Sequence, residues 1–425
     1  MMRRMSRRLA AGMLVAAVAV VGSALTARSQ ITALEGRAGS GGRSVVPAVE
    51  AAFAHESYRP NSRARLIVSD PSRQLVMQTF RSGPELDDTT TDDEMQGVPV
   101  TRRKIVERLP GVQPLSVPVG SWGSGLYFIR LEAEDGRVGF APFIVAPRRI
   151  GVHRVAVVLP TLTWQAYNFR DDDGDGSADS WYADGGADRV RLGRAHLDRG
   201  VPYGFRYHLG FHKWLHWSRK QADYLSQWDL EQVASSDVLA REYDLLVFAG
   251  HHEYVTAKEY DLVEGFRDRG GNLMFLSANN FFGRVERKGR TLVRLGRWRD
   301  HARPEAALVG VQYTAHRREP RAPWIARYPA RSWPFGGTGL RSGSRFARGG
   351  VEIDHVTSAS PNQIQILAEI PDLFGPGKTA QMTYYETTAG ARVFAAGAFH
   401  LTRGVTSDFV VWRLLENLWA RLAAE

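Results

Sequence analysis

Three short segments hold most of the reactive side chains of this 425-residue chain. They are Thr163-Trp164-Gln165-Ala166-Tyr167-Asn168, Ser180-Trp181-Tyr182 and Gly250-His251-His252-Glu253-Tyr254. Each sets phenols, a carboxylate or an imidazole where an apolar run gives way to a polar stretch. At the carboxyl edge of an open α/β sheet, such positions face the ligand crevice. Brought together, two phenols, a carboxylate and an imidazole form a set able to hold a cation and move protons. Glu253 could ligate the cation, and His251 could donate to a substrate oxygen or relay a proton. The plain alternative is a polar strand-to-helix loop in which Glu253 complements a helix dipole.

Between the two tyrosines runs Asp171-Asp172-Asp173-Gly174-Asp175-Gly176-Ser177-Ala178-Asp179. Acidic residues at alternate positions, with Gly at the sixth, follow the pattern of a calcium loop. The oxygen donors would be Asp171, Asp173, Asp175 and Asp179. The closing bidentate acid is missing, Tyr182 stands in its place, and no flanking helices are evident. Four carboxylates repel one another unless Ca2+ sits among them; the other reading is a solvated acidic turn.

The elements that must position these residues are legible from hydrophobic patterning. His153–Leu159, Leu245–Ala249 and Leu273–Ser277 are apolar runs without helical period, as buried parallel strands are. Thr256–Arg269 has apolar positions at Tyr260, Leu262, Val263 and Phe266, a Thr256/Glu259 capping box, and a stop at Gly270-Gly271. Ala391–Ala396 reads as a further strand and Asp408–Ala424 as a closing helix. The spacing predicts an open, mostly parallel α/β sheet over residues 149–425. Residues 47–148 alternate in short runs separated by Gly, Pro and Asp. About seven strands in such a length suggest a β-sandwich of immunoglobulin-like type. The acidic stretch Asp87–Glu94 falls between strands and reads as a solvated turn.

Composition narrows the chemistry. The chain has no cysteine, so disulfides, zinc–thiolate sites and iron–sulfur clusters are excluded. Any bound metal must use oxygen and nitrogen donors. The net charge is +10, but Arg is dispersed and no basic stripe alternates with aromatics, so no nucleic-acid partner is expected. Arg3, Arg4, Arg7 and Arg8 precede an apolar run to about residue 27. Residues 1–27 read as an export signal or, uncleaved, as an N-terminal anchor and the only contact with a membrane. Residues 28–46, rich in Gly, Ser and Arg, read as a linker. Homo-oligomers are left open.

The three segments, together with Gly270-Gly271-Asn272-Leu273-Met274-Phe275-Leu276-Ser277-Ala278-Asn279-Asn280-Phe281, resemble the large subunit of N,N-dimethylformamidase and its relatives. The resemblance runs from about Val49 to the C-terminus. It includes Ser124-Gly125-Leu126-Tyr127-Phe128 and Ala141-Pro142-Phe143-Ile144-Val145. It implies an α/β domain of the glutamine-amidotransferase-like kind, holding one iron through two tyrosines and a glutamate. By motif these are Tyr167, Tyr182 and Glu253. His251 is then the neighbouring catalytic imidazole, Glu352 a second carboxylate, and Asn279 a pocket residue. Phenolates and a carboxylate are hard donors suited to Fe3+.

Two functional readings follow. The first is an exported metal-dependent hydrolase acting on the C–N bond of a small-molecule amide. The second is a non-catalytic envelope binding or structural protein with a calcium-stabilised loop. Trp214, Trp217, Trp324 and Trp333 fit a sugar- or peptide-lined groove under either, with ordinary packing the plainer reading for each one singly. A metal-free Ser–His amidohydrolase finds no support, because no Gly-x-Ser-x-Gly elbow occurs.

Overall fold

The computed structural model describes residues 48–86, 91–183, 188–327 and 333–423. The expected signal (1–27) and the linker (28–46) lie outside the described residues. Among those described, no helix is long and apolar enough to cross a membrane.

The N-terminal part is two β-sheets. Glu50–Phe53, Arg63–Asp70 and Gly111–Pro118 form three antiparallel strands. Six more strands, from Ser57–Tyr58 to Val138–Val145, form the second sheet. Leu66, Val68 and Val117 from the first meet Leu75, Ile129, Leu131 and Phe143 from the second in one apolar cluster. The alternation that suggested about seven strands therefore resolves into nine.

The rest is mixed α/β and strand-rich, around a ten-stranded sheet. Its strands are β1 (Val155–Leu159), β2 (Asp223–Ser226), β3 (Leu245–Phe248), β4 (Asn272–Phe275), β5 (Gln312–Ala326), β6 (Arg345–His355), β7 (Gln365–Ile370), β8 (Ala380–Glu386), β9 (Arg392–Ala395) and β10 (Ala398–Phe399). Their spatial order is β2-β1-β3-β4-β9-β8-β7-β5-β6-β10. The first four pairings are parallel and the remaining five antiparallel. The expectation of a mostly parallel sheet is thus corrected: only β2, β1, β3, β4 and β9 are parallel. The antiparallel half went unseen because β5 carries His316-Arg317-Arg318-Glu319-Pro320-Arg321, a polar run interrupted by bulges.

Both faces of the parallel half are covered, which explains its uninterrupted apolar strands. Val155, Val157, Leu159, Val247 and Met274 pack with Leu209, Trp214, Leu414 and Leu418 on one side. Ala156, Val158, Leu246, Phe248 and Phe275 pack with Tyr260, Val263 and Phe266 on the other. The helices on the first side are Arg206–Trp217 and Phe409–Leu422; the second is covered by Ala257–Asp268. Asp408 caps the last helix by accepting from the Val410 and Val411 amides.

Three local expectations change. Thr256 caps Ala257–Asp268 by accepting from the Glu259 amide at 3.2 Å, but Glu259 does not return the bond. Its carboxylate instead meets His252 Nε2 at 2.7 Å and Gln227 at 2.6 Å. The Thr163–Tyr167 stretch, which follows the first apolar run where a crossover loop is the simplest expectation, belongs to the helix Thr161–Ala166, capped C-terminally by Tyr167. All six helical residues are buried, so no amphipathic period marks it. The four tryptophans also form no common groove. Trp214 and Trp324 are fully buried, Trp214 packs on Trp419, and Trp333 packs on Tyr384.

Candidate active site

The chain leaves β1 toward β2 on one side and leaves β3 toward β4 on the other, although β1 and β3 are neighbours. Their carboxyl ends therefore flank a topological switch point, where the diverging loops open a crevice. After β1 come the helix Thr161–Ala166 and Tyr167; after β3 come Gly250, His251, His252 and Glu253. The two loops are tied together by Thr163, whose Oγ1 accepts from the Glu253 and Tyr254 amides at 3.2 and 3.1 Å. Gln227 adds a second tie, accepting from the Leu162 amide and donating to the Tyr254 carbonyl, both at 2.8 Å.

On this frame the oxygens converge. The Tyr167 hydroxyl donates to Glu253 Oε2 at 2.6 Å, and the Tyr182 hydroxyl lies 3.2 and 3.4 Å from the two Glu253 oxygens. The Tyr182 hydroxyl also meets that of Tyr254. The rings of Tyr167 and Tyr182 stack at 4.2 Å, and Tyr203 stacks on the other face of Tyr167 at 4.8 Å. Gly283 makes room for Tyr254: a Cβ there would sit 2.4 Å from its ring.

His251 occupies the next position. Its Nε2 lies 3.1 Å from Glu253 Oε2 and 3.4 Å from Glu352 Oε2. Neither contact has the alignment of a hydrogen bond, so both are essentially coulombic. Burial pulls the His251 pKa down, but the Glu352 and Glu253 charges outweigh it and raise it to about 10. Burial pushes the Glu352 carboxyl up, and the facing His251 brings it below its ordinary value. Burial, then the Glu253 charge, hold the Tyr167 phenol well above its usual pKa. A bound cation would reverse that effect, because the ion is then the largest local charge.

Glu352 sits within β6 rather than after a strand, next to Val351, a β-branched residue at φ +70°. Asn279 is held at φ +55° while its amide donates to both Asp354 oxygens, at 2.9 and 3.0 Å. Asn tolerates the left-handed region, but the β-branched Val351 does not, and its backbone there costs about 1–3 kcal/mol. The cavity itself is about 450 Å3, with Tyr167, Tyr182, Glu253, Asn279 and Glu352 in its wall. Asp92, expected in a solvated turn, lines it too and pairs with Arg206 at 2.7 Å.

The structure thus brings Tyr167, Tyr182, Glu253, His251, Glu352 and Asn279 to one place. The hydroxyl–carboxylate separations are those of oxygens sharing one ion at about 2 Å. A carboxylate and two phenols, which become phenolates once a cation displaces their protons, fit a hard trivalent or divalent metal beside an open cavity, with positions left for water and substrate.

The acidic loop behaves differently. Asp171, Asp173 and Asp179 can bring carboxylate oxygens within 4.8 Å of one another, and Asp175 is not part of that group. Asp175 instead accepts from the Ser177 amide, and Asp171 from the Gly174 and Gly176 amides.

Sequence reading passed over Arg194, Tyr203 and Thr163. Arg194 is buried and donates to the carbonyls of Gln165, Asn168 and Asp179 at 2.8, 3.2 and 2.9 Å. It clamps both ends of the acidic loop and so aims Tyr182. A lone Arg between Gly193 and Ala195 carries no motif to announce this; Pro202-Tyr203-Gly204 at least signals a turn that presents an aromatic ring.

Comparison with curated proteins finds no match. Among solved structures, a superoxide reductase (neelaredoxin) from Ignicoccus hospitalis is 10% identical, covering 25% of this chain and 89% of that one at a TM-score of 0.17. The PmoD soluble domain from a Methylocystis species is 11% identical, covering 23% and 88% at a TM-score of 0.15. Likenesses this slight carry no argument. The family described as "N,N-dimethylformamidase beta subunit-like, C-terminal" matches residues 113–409, most of the chain and every residue of the cavity wall but Asp92. With its motif residues gathered at one sheet edge, this chain belongs to the N,N-dimethylformamidase beta subunit-like family, a membership that points to a hydrolase of the dimethylformamidase kind.

Proposed function

We propose that the chain is an exported metal-dependent hydrolase that cleaves the C–N bond of a small amide. The observation that carries the reading is the convergence of the Tyr167 and Tyr182 hydroxyls on Glu253, within 2.6–3.4 Å, in the wall of a 450 Å3 cavity. Tyr167, Tyr182 and Glu253 would hold iron, as Fe3+, which when bound supplies Lewis acidity and acidifies water. The chain's own groups do the rest. His251, flanked by the cavity-wall residues Glu253 and Glu352, would orient the amide oxygen and give a proton to the departing amine. Glu352 receives the proton that water gives up, and Asn279 orients the amide. Overall, a C–O bond forms from water, the C–N bond breaks, and one proton passes to the amine nitrogen.

The basic and apolar N-terminus supports export, and a Ca2+ ion among Asp171, Asp173 and Asp179 would steady the loop that carries Tyr182. The test is elemental analysis of natively expressed protein, followed by hydrolysis of an amide panel by wild type and Glu253→Ala. About one iron per chain and turnover lost with Glu253→Ala are expected. Metal-free protein, or turnover indifferent to Glu253→Ala, would overturn the proposal.

A further inference from the structure

A second cavity, of about 320 Å3, lies between the six-stranded sheet and the C-terminal half of the helix Arg206–Trp217. Its wall includes Arg81, His212, His216, Arg219, Lys220 and Tyr224, and no carboxylate side chain of the described residues lines it. Arg81 reaches no acid there: its Nη2 contacts the Ser124 carbonyl at 3.5 Å and its guanidinium lies over the Tyr127 ring. Arg219 makes no ion pair among the described residues, while Lys220 lies 3.5 Å from Glu416. Glu85, which does not line the cleft, accepts from the Gly83 amide at 2.6 Å.

His212 makes this more than a basic patch. It is only 2% exposed, forms part of the cavity wall, and neither ring nitrogen has a hydrogen-bond partner among the described residues. Its ring is fixed edge-on against Tyr224 at 5.2 Å. A buried polar group without a partner costs about 1–3 kcal/mol, and cations facing one another across a protein-walled cleft repel. Both penalties are relieved by a ligand that accepts hydrogen bonds and carries negative charge. Guanidinium groups match planar or tetrahedral oxyanions through paired N–H donors.

We propose that this cleft is a second binding site, separate from the tyrosine–glutamate cavity, for a small oxyanion-bearing molecule. Arg81 and Arg219 engage the oxyanion from opposite walls, His212 donates from the floor, and the remaining volume takes a compact organic group.

The test is calorimetric titration of the full protein with inorganic phosphate and, separately, with acetate, at ionic strength fixed by chloride. Wild type is compared with Arg81→Gln, Arg219→Gln, Glu253→Ala and Arg345→Gln, an exposed arginine that does not line the cleft. Saturable binding is expected in wild type, Glu253→Ala and Arg345→Gln, weakened about tenfold or more by Arg81→Gln and by Arg219→Gln. Preference for phosphate identifies a phosphate ester as the natural ligand; preference for acetate identifies an organic acid. If Arg81→Gln does not fold, Arg219→Gln decides alone, since the substitution leaves its turn geometry unchanged. The proposal fails if neither anion binds, if both Arg variants bind like wild type, or if binding vanishes in Glu253→Ala.

Discussion

The Tyr167 hydroxyl lies 2.6 Å from Glu253 Oε2, although 86 residues separate the two in the chain. The parallel pairing of β1 and β3 brings their loops to one edge, and the Thr163 hydroxyl, accepting from the Glu253 amide, ties them together there. Replacing either phenol removes a donor oxygen and leaves its ring packed. Tyr167→Phe and Tyr182→Phe should each lose most bound iron and at least about a hundredfold in amide turnover, while Tyr254→Phe, one bond further out, should lose about tenfold. Metal content and the visible absorption of tyrosinate-bound iron check the order.

His251 is adjacent to the proposed ligand set without belonging to it. His251→Gln should retain iron yet lower kcat by about 10²–10⁴, the range of a lost proton donor. Iron lost in step with activity would place His251 among the ligands instead.

Arg194→Ala leaves the carbonyls of Gln165, Asn168, Arg170 and Asp179 without their buried donor. A loss of about 3 kcal/mol in folding stability is expected, with faster proteolysis between residues 170 and 182. Urea unfolding and limited digestion measure both. A stability change within about 0.5 kcal/mol would show that the clamp is dispensable.

Asp354 supplies a pH-dependent signature. Burial raises its carboxyl pKa to about 8, against the pull of the Asn279 amide. The folded chain therefore keeps a proton that the unfolded chain releases. This contribution to stability is complete below the usual carboxylate pKa and is lost as pH rises toward 8. Asp354→Asn, which cannot ionise, should be less stable than wild type near pH 4 and recover relative to it by pH 8–9. A stability difference that is flat with pH would show that Asp354 is charged throughout.

Gly210 lies mid-helix in Arg206–Trp217, where a Cβ would come within 1.9 Å of the Thr402 carbonyl oxygen. Gly210→Ala, normally favourable in a helix, should here cost about 1–3 kcal/mol. Thermal unfolding reads the sign directly.

Much of this arrangement is legible in the chain itself. Val155–Leu159, Leu245–Phe248 and Leu273–Phe275 are covered on both faces and carry unbroken apolar runs, so they stand out. Thr256 and Gly270 bracket their helix by standard end chemistry. Tyr167, Tyr182 and Glu253 are recognisable because they lie in short motifs that resemble those of the family. The antiparallel half of the sheet is not legible, because bulges break its period and arginines occupy its exposed positions. The helix before Tyr167 is hidden for the opposite reason: it is buried all round. Arg194 acts on backbone carbonyls, and partners of that kind leave no trace in residue type.

The pairing of Asp92 with Arg206 has a wider reach. A segment threaded between strands of the six-stranded sheet supplies part of the rim above the tyrosines, so substrate access is shared property of both halves of the molecule. Exchanging or trimming that segment is a route to altered selectivity that leaves every proposed ligand and proton carrier untouched.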